Sequence, residues 1–177
     1  PVISEIEFAA KYCKGKKICI TGSNGKTTTT LMISYLLQNA GLKSKAVGNI
    51  GESYALSVAI DPVDYYVIEL SSFQLDRMYE FKADIAIILN ITPDHLDRYD
   101  NQFSKYAESK FRIIQNMSDE GHFIYNSDDQ EVLKKVKSLN PSFSIYPISI
   151  ESKNEYGSWI EDEKIQININ NQKQTIM

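Results

Sequence analysis

Residues 21–30, Thr-Gly-Ser-Asn-Gly-Lys-Thr-Thr-Thr-Thr, constrain this chain more than any other stretch. The run Lys17-Ile18-Cys19-Ile20-Thr21 reads as a buried strand that enters this glycine-bearing turn directly. A helical pattern follows, with Leu31, Ile33, Leu36 and Leu37 giving an apolar face. Strand, short loop with Gly-Lys-Thr, and helix together make the geometry that binds polyphosphate. N–H groups at a helix start point at the anion, and the helix dipole favours negative charge. Lys26 would add a mobile positive charge for the β- and γ-phosphates, and the Thr27 hydroxyl stands where a Mg²⁺ ligand is needed. The loop departs from the common G-x-x-x-x-G-K-[ST] spacing. Only Ser23 and Asn24 separate Gly22 from Gly25, and Ile20 holds the usual first-glycine position. A bare turn with a helix start is the alternative on this segment alone.

The rest of the chain alternates short apolar strands with helical patterns. Strands are expected at Lys16–Thr21, Lys45–Val47, Tyr65–Leu70, Asp84–Asn90, Phe123–Asn126 and Ser142–Tyr146. Helices are expected near Gly25–Ala40, Tyr54–Ala59, Phe103–Asn116 and Asp129–Ser138. This alternation predicts an α/β fold, a mainly parallel sheet flanked by helices. After Pro147 the pattern changes to three short segments, Ser158–Ile160, Ile165–Ile169 and Lys173–Ile176, which predict a small antiparallel β meander near the C-terminus.

A length of 177 residues fits one domain with a real core. A net charge of −4 without a basic stripe argues against nucleic acid as a partner. The longest apolar run, Ala83–Leu89, contains Asp84 and is too short to span a bilayer, so no membrane insertion is expected. Cys13 and Cys19 have no metal or disulfide spacing and read as reduced core thiols of a cytoplasmic protein, expected to be a monomer. The chain opens at Pro1 and ends at Met177 within a strand-like run, which suggests a piece of a longer protein.

Ligands of open parallel sheets sit at the C-terminal strand ends, and three polar segments fall there. In Glu69-Leu70-Ser71-Ser72-Phe73-Gln74-Leu75, the Glu69 carboxylate is placed to hold a nucleotide's Mg²⁺, or simply faces water. Asn90-Ile91-Thr92-Pro93-Asp94-His95-Leu96-Asp97-Arg98-Tyr99 carries His95, either a ligand for a metal or anion or a solvated side chain, with Asp94 as a cap for the next turn. Gly48-Asn49-Ile50-Gly51 offers close backbone approach and a carboxamide, or is an ordinary turn. Lys110, on the helix Phe103–Asn116, reads by itself as a solvated lysine.

Together these segments resemble the central domain of the Mur ligases, the ATP-dependent amide-forming enzymes of peptidoglycan synthesis. Thr21–Thr28 is similar to that family's shortened phosphate loop, which accounts for the missing spacer. Gly48–Gly51, E-L-S-S-F-Q-L at Glu69–Leu75 and D-H-L-D-R-Y at Asp94–Tyr99 are most similar to the branch that adds D-glutamate. Sister ligases, folylpolyglutamate synthases and a non-catalytic nucleotide-binding module are the alternatives. The resemblance covers about Ile18 to Asp129. It implies that Gly22, Ser23, Asn24, Gly25, Lys26, Thr27 and Thr28 cradle the ATP phosphates. Thr27 and Glu69 would hold one Mg²⁺ and His95 a second. Lys110 would carry a carbamate formed with CO₂ and serve the second ion, and Asn49, Ser71 and Gln74 would touch the substrate. Lys26, Lys110 and His95 would form the catalytic set. The implied reaction joins UDP-N-acetylmuramoyl-L-alanine to D-glutamate through an acyl phosphate. The expected extent is 1–177 as a central ATP-binding domain truncated at its C-terminal end. N-terminal UDP-binding and C-terminal amino-acid-binding domains would be absent, so the fragment alone would be inactive.

Overall fold

The computed structural model describes residues 2–176; the ends Pro1 and Met177 lie outside the described residues. The described residues fold into a nine-stranded sheet flanked by helices. In chain order the elements are α1 (Glu5–Ala10), β1 (Lys16–Thr21), α2 (Lys26–Asn39), β2 (Ser44–Gly48), α3 (Tyr54–Ile60) and β3 (Tyr65–Glu69). They continue with α4 (Ser72–Leu75), β4 (Ile85–Ile88), α5 (Phe103–Phe111), β5 (His122–Asn126), α6 (Gln130–Val136) and β6 (Ser144–Ser149). The last three are β7 (Gly157–Glu161), β8 (Lys164–Ile169) and β9 (Gln172–Ile176). Short 3₁₀ turns occupy Leu96–Tyr99 and Arg112–Ile114.

The strand order is β2-β3-β1-β4-β5-β6-β7-β8-β9, with β1 to β7 joined by parallel pairings and β7-β8-β9 antiparallel. The expected parallel sheet and terminal meander are both present. β1 lies between β3 and β4, so the connection leaving β1 opens into the crevice where the strand order reverses. The residues of the central strands are buried on both sides. Cys19, Ile68, Ala86 and Ile88 join a large core under α1, α3, α4 and α5, whereas Ile18, Ile20, Val67 and Ile87 pack with Ile33 and Leu37 of α2.

Several details differ from the sequence reading. Leu31 and Leu36 are exposed, because the face of α2 turned to the sheet is Thr30, Ile33, Ser34 and Leu37, spaced at one helical repeat. The Ser34 hydroxyl lies 3.1 Å from that of Ser44 on β2, so a polar pair sits where a leucine was expected. β6 starts later than Ser142 and runs through Pro147 to Ser149, with β7 pairing only at Ile148 and Ser149. Pro147 therefore costs no rung on the β7 side. Gly157 opens β7 at φ +87°, and a Cβ there would collide with the Pro147 carbonyl. The helix α1 escaped the sequence reading. It is held by Glu7, 2% exposed, whose carboxylate accepts from the N–H groups of Tyr79, Glu80 and Phe81 at 3.1, 2.9 and 2.9 Å.

Candidate functional site

The loop after β1 is built by its neighbours. Ser23 is buried; its hydroxyl donates to the Thr92 carbonyl at 2.9 Å, accepts from the Thr92 N–H at 2.9 Å and lies 3.1 Å from the Tyr106 hydroxyl. Gly25 adopts φ +80° at the N-cap of α2, a left-handed conformation that favours glycine. The first helical bond runs from the Thr29 N–H to the Gly25 carbonyl. The amides of Lys26, Thr27 and Thr28 precede it and are free for an anion, as helix starts require.

Two lysines meet on one carbonyl. Lys26 Nζ donates to the carbonyls of Gly22 and Ser23, each at 2.9 Å, and Lys110 Nζ also donates to Gly22 O at 2.9 Å. Lys110 is 2% exposed and lies 4.7 Å from the centroid of the Tyr106 ring. Burial first, and then the positive charge of Lys26, lowers the Lys110 ammonium to a pKa of about 8, with Asp94 opposing. The expectation of a solvated lysine fails because α5 packs against α4 and the loop, and Lys110 projects into that seam rather than outward.

Glu69 stands across the loop and is 2% exposed, not facing water. Its Oε2 accepts from the Thr27 hydroxyl at 2.7 Å and its Oε1 from the Asn49 side-chain amide at 3.1 Å. Gly48 lets β2 approach closely here, since a Cβ would strike the Glu69 carbonyl. Among the described residues no lysine or arginine pairs with Glu69. A buried carboxylate held only by neutral donors is suited to a cation.

The other expected residues lie nearby with different partners. Ser71 and Gln74 form a capping box at α4: the Ser71 N–H and hydroxyl donate to Gln74 Oε1 at 3.0 and 2.9 Å, leaving the Gln74 Nε2 outside the box. His95 has φ 49° before the turn Leu96–Tyr99, with its Nε2 3.6 Å from the Asp94 carboxylate and its ring 5.3 Å from Phe73. Asp94 thus lies beside His95 and makes no cap hydrogen bond to the turn. Arg98 covers the other reach of Phe73, 4.4 Å from the ring centroid. No group of three His, Cys, Asp or Glu capable of holding a metal occurs among the described residues. Glu69 and Thr27 meet directly, whereas among the described residues no hydrogen bond or ion pair joins His95 or Lys110 to them. Sequence reading missed Asn90 and Tyr106 as site residues. Asn90 sits just after the most buried strand, and Tyr106 looked like a core residue of α5. Beyond Leu89, the ends of β4, β5 and β6 border a cavity of about 490 Å³ lined by Tyr125, Asn126, Asp128 and Ile150.

The profile of the Mur ligase middle domain matches residues 20–177. The chain belongs to the Mur ligase family. Among its relatives, the UDP-N-acetylmuramoylalanine–D-glutamate ligase of Bacteroides fragilis is 51% identical over 167 residues, 94% of this chain and 38% of the relative. The ligase of the same name from Porphyromonas gingivalis is 49% identical over 172 residues, again 38% of its length. The chain thus spans well under half of the relatives it matches. Among solved structures, a UDP-N-acetylmuramoyl-L-alanyl-D-glutamate–2,6-diaminopimelate ligase aligns with a TM-score of 0.71 at 21% identity, over 97% of this chain and 42% of that one. The MurF ligase of Thermotoga maritima in complex with ADP aligns at 0.67 and 19%, over 97% and 43%. At these identities the structural likeness speaks for the fold, which is the Mur ligase central fold expected from the motifs.

Proposed function

We propose that the chain is the ATP-binding central part of a cytoplasmic Mur ligase that adds D-glutamate to UDP-N-acetylmuramoyl-L-alanine. The observation that carries this reading is the pairing of Thr27 with buried Glu69, which no lysine or arginine pairs with among the described residues, beside a helix start whose first amides are free. The chain would be truncated at its C-terminal end, and the UDP-binding and amino-acid-binding domains would lie in the rest of the protein. The residues present fit a Mg²⁺–nucleotide: Thr27 and Glu69 would hold the ion, which would neutralise phosphate charge when bound. His95 and a carbamate on Lys110 would serve a second Mg²⁺ in the intact enzyme.

In this reading Lys26 leaves the Gly22 and Ser23 carbonyls for the β- and γ-phosphates, and the amides of Lys26, Thr27 and Thr28 line them. The γ-phosphoryl group passes to the alanyl carboxylate of the acceptor, giving an acyl phosphate and ADP. The amine of D-glutamate then attacks the acyl carbon, phosphate leaves, and one proton is released with the amide. Acyl phosphates hydrolyse, so the buried wall formed by Tyr106, Lys110 and Ser23 would exclude water from one side. Asn49 and Gln74 Nε2 supply amide donors at the rim for the acceptor. Phosphate release by the intact protein with ATP, Mg²⁺, UDP-N-acetylmuramoyl-L-alanine and each candidate amino acid tests this. Turnover only with D-glutamate is expected, together with no ligation by the 177-residue fragment. Turnover with a different amino acid, or none with any, would overturn the reading.

A further inference from the structure

The phosphate loop is held from one side by a residue that the proposed chemistry does not use. The Asn90 side chain accepts from the Asn24 N–H at 2.8 Å and donates to the Asn24 carbonyl at 3.1 Å, and the Asn90 carbonyl accepts from the Ser23 N–H at 3.0 Å. Asn90 is itself anchored: the Leu89 N–H donates to the Thr21 carbonyl at 3.0 Å, and the Ile91 N–H donates to the Asp129 carboxylate at 2.9 Å. Asp129 is fixed in turn by capping α6, accepting from the Val132 N–H at 2.9 Å. The two peptide groups flanking Asn24 are therefore gripped by one carboxamide on a braced strand end. Within a trans peptide the C=O and N–H point in opposite directions. Drawing the Asn24 carbonyl to Asn90 thus turns the Gly25 N–H away from Asn90, just before the free amides of α2.

Resting on the nucleotide reading above, we propose that Asn90 is a positioning residue that sets the orientation of the phosphate-loop peptides, and with them the affinity for the nucleotide phosphates. Only a carboxamide can fill the place. A carboxylate would keep the acceptor for the Asn24 N–H but would set an anion against the Asn24 carbonyl and near the phosphates, and an alanine would release both peptides.

The test measures ADP affinity in the presence of Mg²⁺ by calorimetry on the intact protein, at one salt concentration, for Asn90→Ala and Asn90→Asp. UDP-N-acetylmuramoyl-L-alanine affinity and the ligand-free melting temperature serve as controls. Loss of two neutral hydrogen bonds predicts ADP binding about tenfold weaker for Asn90→Ala, and weaker still for Asn90→Asp. Affinity for the UDP substrate and the melting temperature should stay near those of the parent, because a purely structural role would move all three together. ADP binding within about twofold of the parent in both variants would overturn the proposal. So would a parallel fall in both ligands with a lowered melting temperature, or loss of cooperative folding in both variants. If only Asn90→Ala fails to fold, Asn90→Asp decides, since it keeps one of the two bonds. A parent protein that does not bind ADP removes the nucleotide reading and the proposal with it; a parent that binds while the variants are unaffected removes the proposal alone.

Discussion

The depressed ammonium of Lys110 predicts a measurable reactivity toward CO₂. Only a neutral amine attacks CO₂, forming the N–C bond of a carbamate and releasing one proton. An ordinary lysine near 10.5 is neutral in about one molecule in a thousand at pH 7.5, whereas a group near 8 is neutral in about a quarter. The population able to react is therefore larger at Lys110 by a factor on the order of 200. The perturbation is a pH series under ¹³C-labelled bicarbonate, followed by ¹³C NMR of the carbamate carbon, with Lys110→Gln to assign the signal. Formation should rise with a midpoint near pH 8 and be absent from the exposed lysines at neutral pH. Replacing Lys26 with Met removes the second-largest cause of the depression and should move the midpoint upward, toward the ordinary lysine value. A midpoint near 10.5 in the parent, or a signal that survives Lys110→Gln at neutral pH, would refute the argument that burial and the Lys26 charge prepare this amine.

The remaining predictions concern the site and its scaffold. Glu69→Gln keeps the size of the side chain but removes the charge, and should weaken Mg²⁺-dependent ADP binding on the order of 10- to 100-fold, while leaving metal-free nucleotide binding almost unchanged by calorimetry. Glu7→Ala strands three N–H groups that donate to that carboxylate, and should lower unfolding free energy by about 3 kcal/mol in urea denaturation. Gly157→Ala meets both a left-handed backbone and the Pro147 carbonyl, and should cost at least about 1–2 kcal/mol by the same measurement.

The strands of the parallel sheet were readable because burial on both faces leaves near-continuous runs such as Ile85-Ala-Ile-Ile88, and the loop after β1 because Gly-Lys-Thr must follow a strand and start a helix. The elements that escaped were too short to carry a period: α1 has six residues and α4 four. Their stability comes from Glu7 and from the Ser71–Gln74 box, which are tertiary and capping effects. Leu31 and Leu36 misled because hydrophobicity alone does not choose the face when serines 34 and 44 can pair beneath the helix. Within the site, Glu69 was placed by its strand end. Lys110 has no local signal, since it reaches Gly22 across 88 positions of sequence, and only the docking of α5 brings it there. Only the resemblance to a family gave it an expected role. Asn90 lay in a segment already singled out, yet its partner is a backbone peptide, which no side-chain pattern reports.

The carbonyl of Gly22 is a single seat with two claimants. A phosphate group that draws Lys26 away takes one positive charge from the neighbourhood of Lys110 and brings negative charge in. Both changes strengthen the hold of Lys110 on its proton and shrink the share of it that can capture CO₂. If Lys110 takes up CO₂, the site would favour an order of assembly in which the lysine is modified before the nucleotide arrives. Carbamate formed at Lys110 should accordingly appear more slowly when ADP is added first than when CO₂ is added first, so the order of mixing would itself be visible in the kinetics.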